Sequence, residues 1–267
     1  MKDDEDLQSL RSTLLGLRLW GLREVLLPGK SPVKPQRSEA RVTRDQNPQL
    51  QGLEKGSSPM ENEPVKGLAA REAERQAKIK LLEEIRTDLG DCRRCPLHQG
   101  RTHIVFGEGN ATARLVFVGE GPGADEDRLG RPFVGQAGQL LNKMIRAMGW
   151  RREHVYICNV VKCRPPRNRV PLPEEIQQCA PFLFRQLEAI RPQVICTLGA
   201  CASQTLLGCS TPISELRQKI HLWRGIPLIA TYHPAYLLRN GAKKAEAWKD
   251  LQEVMERLKA FNSTEKP

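Results

Sequence analysis

The chain has 267 residues, a hydrophobic content of 39%, aromatics at only 5% and a formal net charge of +11. That length holds one large domain or two small ones around a mostly aliphatic core, and with no run of about 18 consecutive apolar residues the sequence offers no membrane-spanning helix. The basic excess is uneven, with 13 Lys/Arg against 12 Asp/Glu in residues 1–75 and 29 against 19 in residues 76–267, so it points to a polyanionic partner of the folding part, nucleic acid first.

The opening Met1-Lys2-Asp3-Asp4-Glu5-Asp6 has the wrong charge for the n-region of a signal peptide. A reducing, cytoplasmic setting is therefore expected, where spaced cysteines suggest a metal site before disulfides. Leu7, Leu10, Leu14 and Leu17 recur at helical spacing, and Leu15, Leu19, Trp20, Leu22 and Leu26 widen the stripe until Pro28-Gly29. This apolar helix, about residues 7–27, either binds an unknown protein partner or folds back onto the domain. From Gly29 to about Val65 the chain is rich in Pro, Ser, Gln, Asn and charge, the composition of a disordered linker. Residues 1–75 are thus expected to form an N-terminal extension, 76–262 the folded domain and 263–267 a tail.

Within the domain, Ala69–Leu89 reads as a helix ending at Gly90. Strands are expected at 114–118, 155–161, 194–198 and 227–231. Helices are expected at 137–148, 174–190, 200–207 and 242–261. Such alternation predicts an α/β fold with a central four-stranded parallel sheet and helices on both faces, three layers in all.

In that architecture functional groups gather beyond the carboxyl ends of strands. The first strand runs into Gly119-Glu120-Gly121-Pro122-Gly123, the second ends near Asn159, and the fourth is followed by His233-Pro234-Ala235-Tyr236-Leu237-Leu238-Arg239. The glycine turn matches neither the dinucleotide fingerprint nor a P-loop. Cys92 and Cys95 form a C-x2-C pair, and Cys163 and Cys179 flank a Pro/Arg-rich loop. Four thiolates suit either a zinc ion or an iron–sulfur cluster. Cys158, Cys196, Cys201 and Cys209 lie in apolar contexts, where free cysteine behaves as a small hydrophobe.

Four motifs together, Gly119–Gly123, Gly130-Arg131-Pro132-Phe133-Val134-Gly135, Asn159-Val160-Val161-Lys162-Cys163-Arg164-Pro165-Pro166 and His233–Arg239, resemble family-4 uracil-DNA glycosylases. These are the iron–sulfur members of the uracil-DNA glycosylase superfamily. The resemblance covers roughly residues 78–260. Glu120 separates it from family 5, which usually carries leucine there. It implies a monomeric DNA-repair enzyme of the bacterial cytoplasm, acting at the nucleoid, that flips uracil out of DNA and hydrolyses its glycosidic bond. The base edge would be read by Asn159, the leaving oxygen stabilised by His233, and the ring stacked by Phe133. Glu126 would exclude the methyl group of thymine, Gly121 would let the backbone approach the base, and Glu120 would orient the attacking water or hold the turn. Cys92, Cys95, Cys163 and Cys179 match the ligands of a 4Fe-4S cluster. Arg164, Arg167, Arg169, Tyr236, Leu237 and Arg239 would contact DNA, with an apolar side chain among Tyr236, Leu237 and Leu238 as a wedge. The alternatives are a non-catalytic DNA-binding module on the same fold and a zinc-bearing hydrolase or electron carrier.

Overall fold

The computed structural model describes the backbone of residues 63–264 and the side chains of residues 69–261. The expected N-terminal helix and linker lie outside the described residues. Helix α1 spans Glu63–Leu89, six residues longer than expected at its start, and runs unbroken through 75/76. It buries Leu82, Ile85 and Leu89, one stripe at helical spacing. Gly90, at φ +47, ends it.

The remaining elements, in chain order, are β1 (Glu108–Gly109), β2 (Leu115–Gly119), α2 (Ala124–Leu129), α3 (Gln136–Ala147), β3 (Tyr156–Asn159), α4 (Pro173–Ile190), β4 (Val194–Leu198), α5 (Ala200–Leu207), α6 (Ile213–Leu216), β5 (Ile220–Trp223), β6 (Ile226–Thr231), α7 (Pro234–Arg239) and α8 (Lys244–Thr264). The sheet has six strands in the order β1-β3-β2-β4-β6-β5. Its four central strands are parallel, and β1 and β5 pair antiparallel at the edges. The expected sheet of four parallel strands is therefore its middle, extended on both sides. The hairpin between β5 and β6 turns on Arg224 and Gly225, at φ +47 and +83, which fits a two-residue primed turn. An Arg-Gly pair gives little warning of it.

Side chains alternate along β2. Leu115 and Phe117 pack with Leu141, Met144, Trp248 and Leu251 on the face covered by α3 and α8. Val116 and Val118 pack with Leu82, Leu183 and Leu187 on the face covered by α1 and α4. Burial on both faces explains the continuous apolar strands. After β2 the chain places β3 on one side and returns to place β4 on the other, so the carboxyl end of β2 is the topological switch point, where such sheets bind ligands. Among the described residues no helix is long and apolar enough to cross a membrane.

Candidate active site

A pocket of about 600 Å³ opens at this switch point, lined by Glu120, Gly121, Phe133, Asn159, His233 and Tyr236 among others. Its volume is in the usual range for a small-molecule site. Another depression, of about 680 Å³, lies between Ile176, Phe184 and Cys209, and none of the predicted site residues lines it.

Asn159, the last residue of β3, sits opposite Gly119 in the ladder and is 1% exposed. Its Oδ1 is buried with no hydrogen-bond partner among the described residues. An orphaned amide oxygen is costly unless a ligand supplies a donor. A Cβ on Gly119 would run into that oxygen and into the Phe133 ring, so Gly119 is required by close packing rather than by φ. The sequence motif contains this glycine, but only the ladder register reveals what it admits. At Gly121, a Cβ would meet Val161 Cγ2 at 2.8 Å. That glycine therefore lets the turn pack against Val161 while its backbone lines the pocket.

Phe133 is buried and left-handed, at φ +50, a conformation that persists only when its surroundings enforce it. Arg152 is one enforcer. Its guanidinium donates to the carbonyls of Pro132 and Phe133, to Asn142 Oδ1 and to Glu108 in β1. Gly138 in α3 is another, since a Cβ there would overlap the Phe133 carbonyl. The ring is held 5.6 Å from the His233 ring, tilted by 36°.

His233 caps α7, and its Nδ1 accepts from the Ala235 amide at 3.1 Å. In a neutral imidazole that leaves the hydrogen on Nε2, free to donate. Burial lowers its pKa to about 4, with the Arg239 cation adding to the effect, so the ring is neutral at pH 7. A little of its surface still meets the pocket, although protein atoms enclose the ring on nearly all sides. Glu120 is half-buried on the pocket wall, and burial raises its carboxyl above the ordinary range.

Glu126 has a structural task at the pocket wall. It lines the pocket, but its carboxylate accepts from the amides of Gly123, Val134 and Gly135 at 3.1, 2.8 and 2.8 Å. It clamps the glycine turn to the Phe133 loop.

The rim corrects one expectation, at Leu237, and gives Arg169 a protein partner. Leu237 is 0% exposed and packs into the core beside α3, so it cannot reach DNA, whereas Leu238 is 46% exposed. Arg169 is bound through two nitrogens to Glu175, itself 1% exposed, and so braces its loop. Arg167 is exposed in a left-handed turn, Arg164 holds Asn168, and Arg239 and Tyr236 border the pocket. Val170, 62% exposed on the same rim, carried no signal in the sequence.

Cys92, Cys95, Cys163 and Cys179 meet at one corner of the core below this loop. Cys163 Sγ accepts from Arg101 at 3.3 Å, Cys179 Sγ from the Lys162 amide at 3.2 Å, and Cys92 Sγ from Arg94 at 3.5 Å. Burial raises the thiol pKa values of Cys95, Cys163 and Cys179, and the neighbouring sulfurs add to the rise. Among the described residues, no three or more His, Cys, Asp or Glu are gathered tightly enough for one metal ion. The donors aimed at sulfur nevertheless suit a thiolate-bound group larger than a single ion.

The uracil-DNA glycosylase superfamily model matches residues 106–252. A Type-4 uracil-DNA glycosylase of Thermotoga maritima is 49% identical over 184 residues, which is 68% of this chain and 95% of that protein. One of Archaeoglobus fulgidus is 46% identical over 186 residues, 67% and 94% of the two chains. A Type-5 uracil-DNA glycosylase of Pyrobaculum aerophilum is 33% identical over 171 residues, 57% and 74%. With the matched segment holding the strand ends that build the pocket, the chain belongs to the uracil-DNA glycosylase superfamily and, within it, to the type-4 family.

Proposed function

We propose that this protein excises uracil from DNA by hydrolysing its N-glycosidic bond, leaving an abasic site, with Asn159, His233 and Phe133 as the base-reading and catalytic core. The observation that carries the assignment is the orphaned Oδ1 of Asn159 on the floor of a pocket walled by an aromatic ring and a neutral imidazole. Uracil answers that oxygen with its N3–H, while its O4 accepts from the Asn159 amide nitrogen. Cytosine presents the opposite pattern. A base in duplex DNA has to leave the stack to enter, and Phe133 then covers its face.

As the sugar–base bond breaks, negative charge grows on uracil. His233 donates from Nε2 to the oxygen where it develops. A neutral donor needs no proton transfer, and its orientation is set in advance by the Ala235 amide. Glu120, on the pocket wall, orients the water that adds to the sugar. Arg164, Arg167 and Arg239 meet phosphates, and Leu238 enters the gap left by the base. Cys92, Cys95, Cys163 and Cys179 hold a 4Fe-4S cluster, which supplies rigidity to the arginine loop between Cys163 and Cys179.

Incubation with an oligonucleotide containing one uracil, followed by alkali, tests the assignment. Strand breakage at uracil alone is expected. Binding of the oligonucleotide without breakage would instead favour a non-catalytic DNA-binding module.

A further inference from the structure

Lys162 is 0% exposed, in the short segment that joins Asn159 to Cys163. Burying so long a side chain costs about 1.5–2 kcal/mol of rotamer entropy, and an apolar residue would fill the same space without polar atoms to satisfy. Its Nζ donates to the main-chain carbonyl of Asn159 at 2.8 Å and to Gln186 Oε1 at 2.6 Å. Gln186, equally buried, donates onward to the Phe106 carbonyl at 3.0 Å and the Tyr156 hydroxyl at 3.3 Å. Both acceptors of Nζ are neutral, so its N–H groups serve them in either protonation state.

The sheet explains why Asn159 needs this donor. The amide of Val160 donates to Gly119 in β2. In a trans peptide the carbonyl of Asn159 therefore points the other way, toward β1. But β1 pairs with β3 only at Tyr156 and Ile157. Two residues later the outer edge of β3 has no strand beside it among the described residues, and Lys162 Nζ takes the place of one. The same residue reaches the cysteine corner, because its amide donates to Cys179 Sγ and its neighbour is Cys163.

We propose that Lys162 is a positioning residue for base recognition: it fixes the main chain of Asn159, and with it the carboxamide facing the base, to the same frame as the four cysteines. This rests on the reading of the pocket as a uracil site. It makes the cysteine corner a support for base reading as well as for the arginine loop.

Lys162→Met, of similar length and without donors, tests it in the full-length protein. Four quantities are compared with wild type: cluster absorbance at about 400 nm, affinity for uracil-free duplex, kcat against KM on a uracil oligonucleotide, and inhibition by free uracil. Absorbance and duplex affinity are expected to persist, while inhibition by uracil weakens about tenfold, the scale of one hydrogen bond from a charged donor. Gln186→Leu, which keeps Lys162 but removes one of its acceptors, should shift the same constant by a smaller factor. Unchanged inhibition in folded Lys162→Met overturns the proposal. If that variant does not fold, unchanged inhibition in Gln186→Leu does so. Loss of uracil affinity only together with absorbance or duplex binding also overturns it, since Lys162 would then support the whole fold. A wild-type protein that neither cuts at uracil nor is inhibited by it fails at the pocket reading itself, which separates the two.

Discussion

The floor and the rim of the pocket use polar side chains in opposite ways. On the floor, Asn159 keeps a buried side-chain oxygen with no partner among the described residues, and His233 uses Nδ1 to accept the Ala235 amide, which leaves the hydrogen of the neutral ring on Nε2. On the rim, polar groups that look equally free are already taken. Arg169 is held by a buried carboxylate, and Glu126 is filled by three backbone amides. A residue's type therefore predicts its chemistry where the scaffold leaves its polar atoms unspent. It misleads where a distant partner has captured them.

Substitutions at the floor should show the contrast most strongly. His233→Ala or Asn159→Ala is expected to lower cleavage on the order of 10²–10³-fold, with little change in binding to undamaged duplex. If either variant cuts at the wild-type rate, the floor is wrongly assigned. Gly119→Ala acts on the same groups through space. Its Cβ displaces Asn159 and Phe133 together, and a shift of about 1 Å at a reacting group costs about 10²-fold. Single-turnover cleavage of the variant measures it.

At the rim the effects are smaller and separable. Leu237→Ala should destabilise by about 2–5 kcal/mol in denaturant melts. Leu238→Ala should leave stability intact and slow cleavage in duplex more than in single strands. Arg167→Ala is expected to lower the slope of log affinity against log salt by about 1 without altering the melting temperature. Arg169→Ala should lower the melting temperature and leave the slope nearly unchanged. Exchange of those two outcomes would reverse the assignment of brace and phosphate contact.

The smallest effect is in pH. The folded-state pKa of His233, about 4, lies below the ordinary 6.5, so the unfolded chain binds the proton first. The stability that His233 contributes is complete above pH 6.5 and falls as the pH drops from there toward 4. The acid limb of kcat/KM belonging to this group is expected near 4. A limb near 6.5 would mean that the imidazole is not desolvated in the working enzyme.

Much of this could be read from residues alone. Glycine, asparagine and histidine at the carboxyl ends of β2, β3 and β6 lie on one edge of the sheet because those strands run parallel. The missed features depend on phase or on remote partners. In α7, Tyr236, Leu237 and Leu238 are consecutive, and each step turns about 100°. One faces the pocket, one the core and one solvent, and the sequence does not state the starting angle. Arg169 and Glu175 are six residues apart, yet their pairing needs the left-handed turn at Arg167 and Asn168. Arg152 carries no motif at all, because its N–H groups answer one carboxylate, two main-chain carbonyls and one side-chain amide from three separate parts of the chain.

That last residue ties local motion to a remote edge. Strand β1 is only two residues long and lies at the border of the sheet, where hydrogen bonds fray first. Glu108 belongs to it, and through Arg152 its state reaches the carbonyl of Phe133. The Phe133 wall of the pocket is thus only as stiff as a two-residue edge. Amide exchange at Gly109 and Asn110 should report how often that wall loosens, even though neither residue lines the pocket.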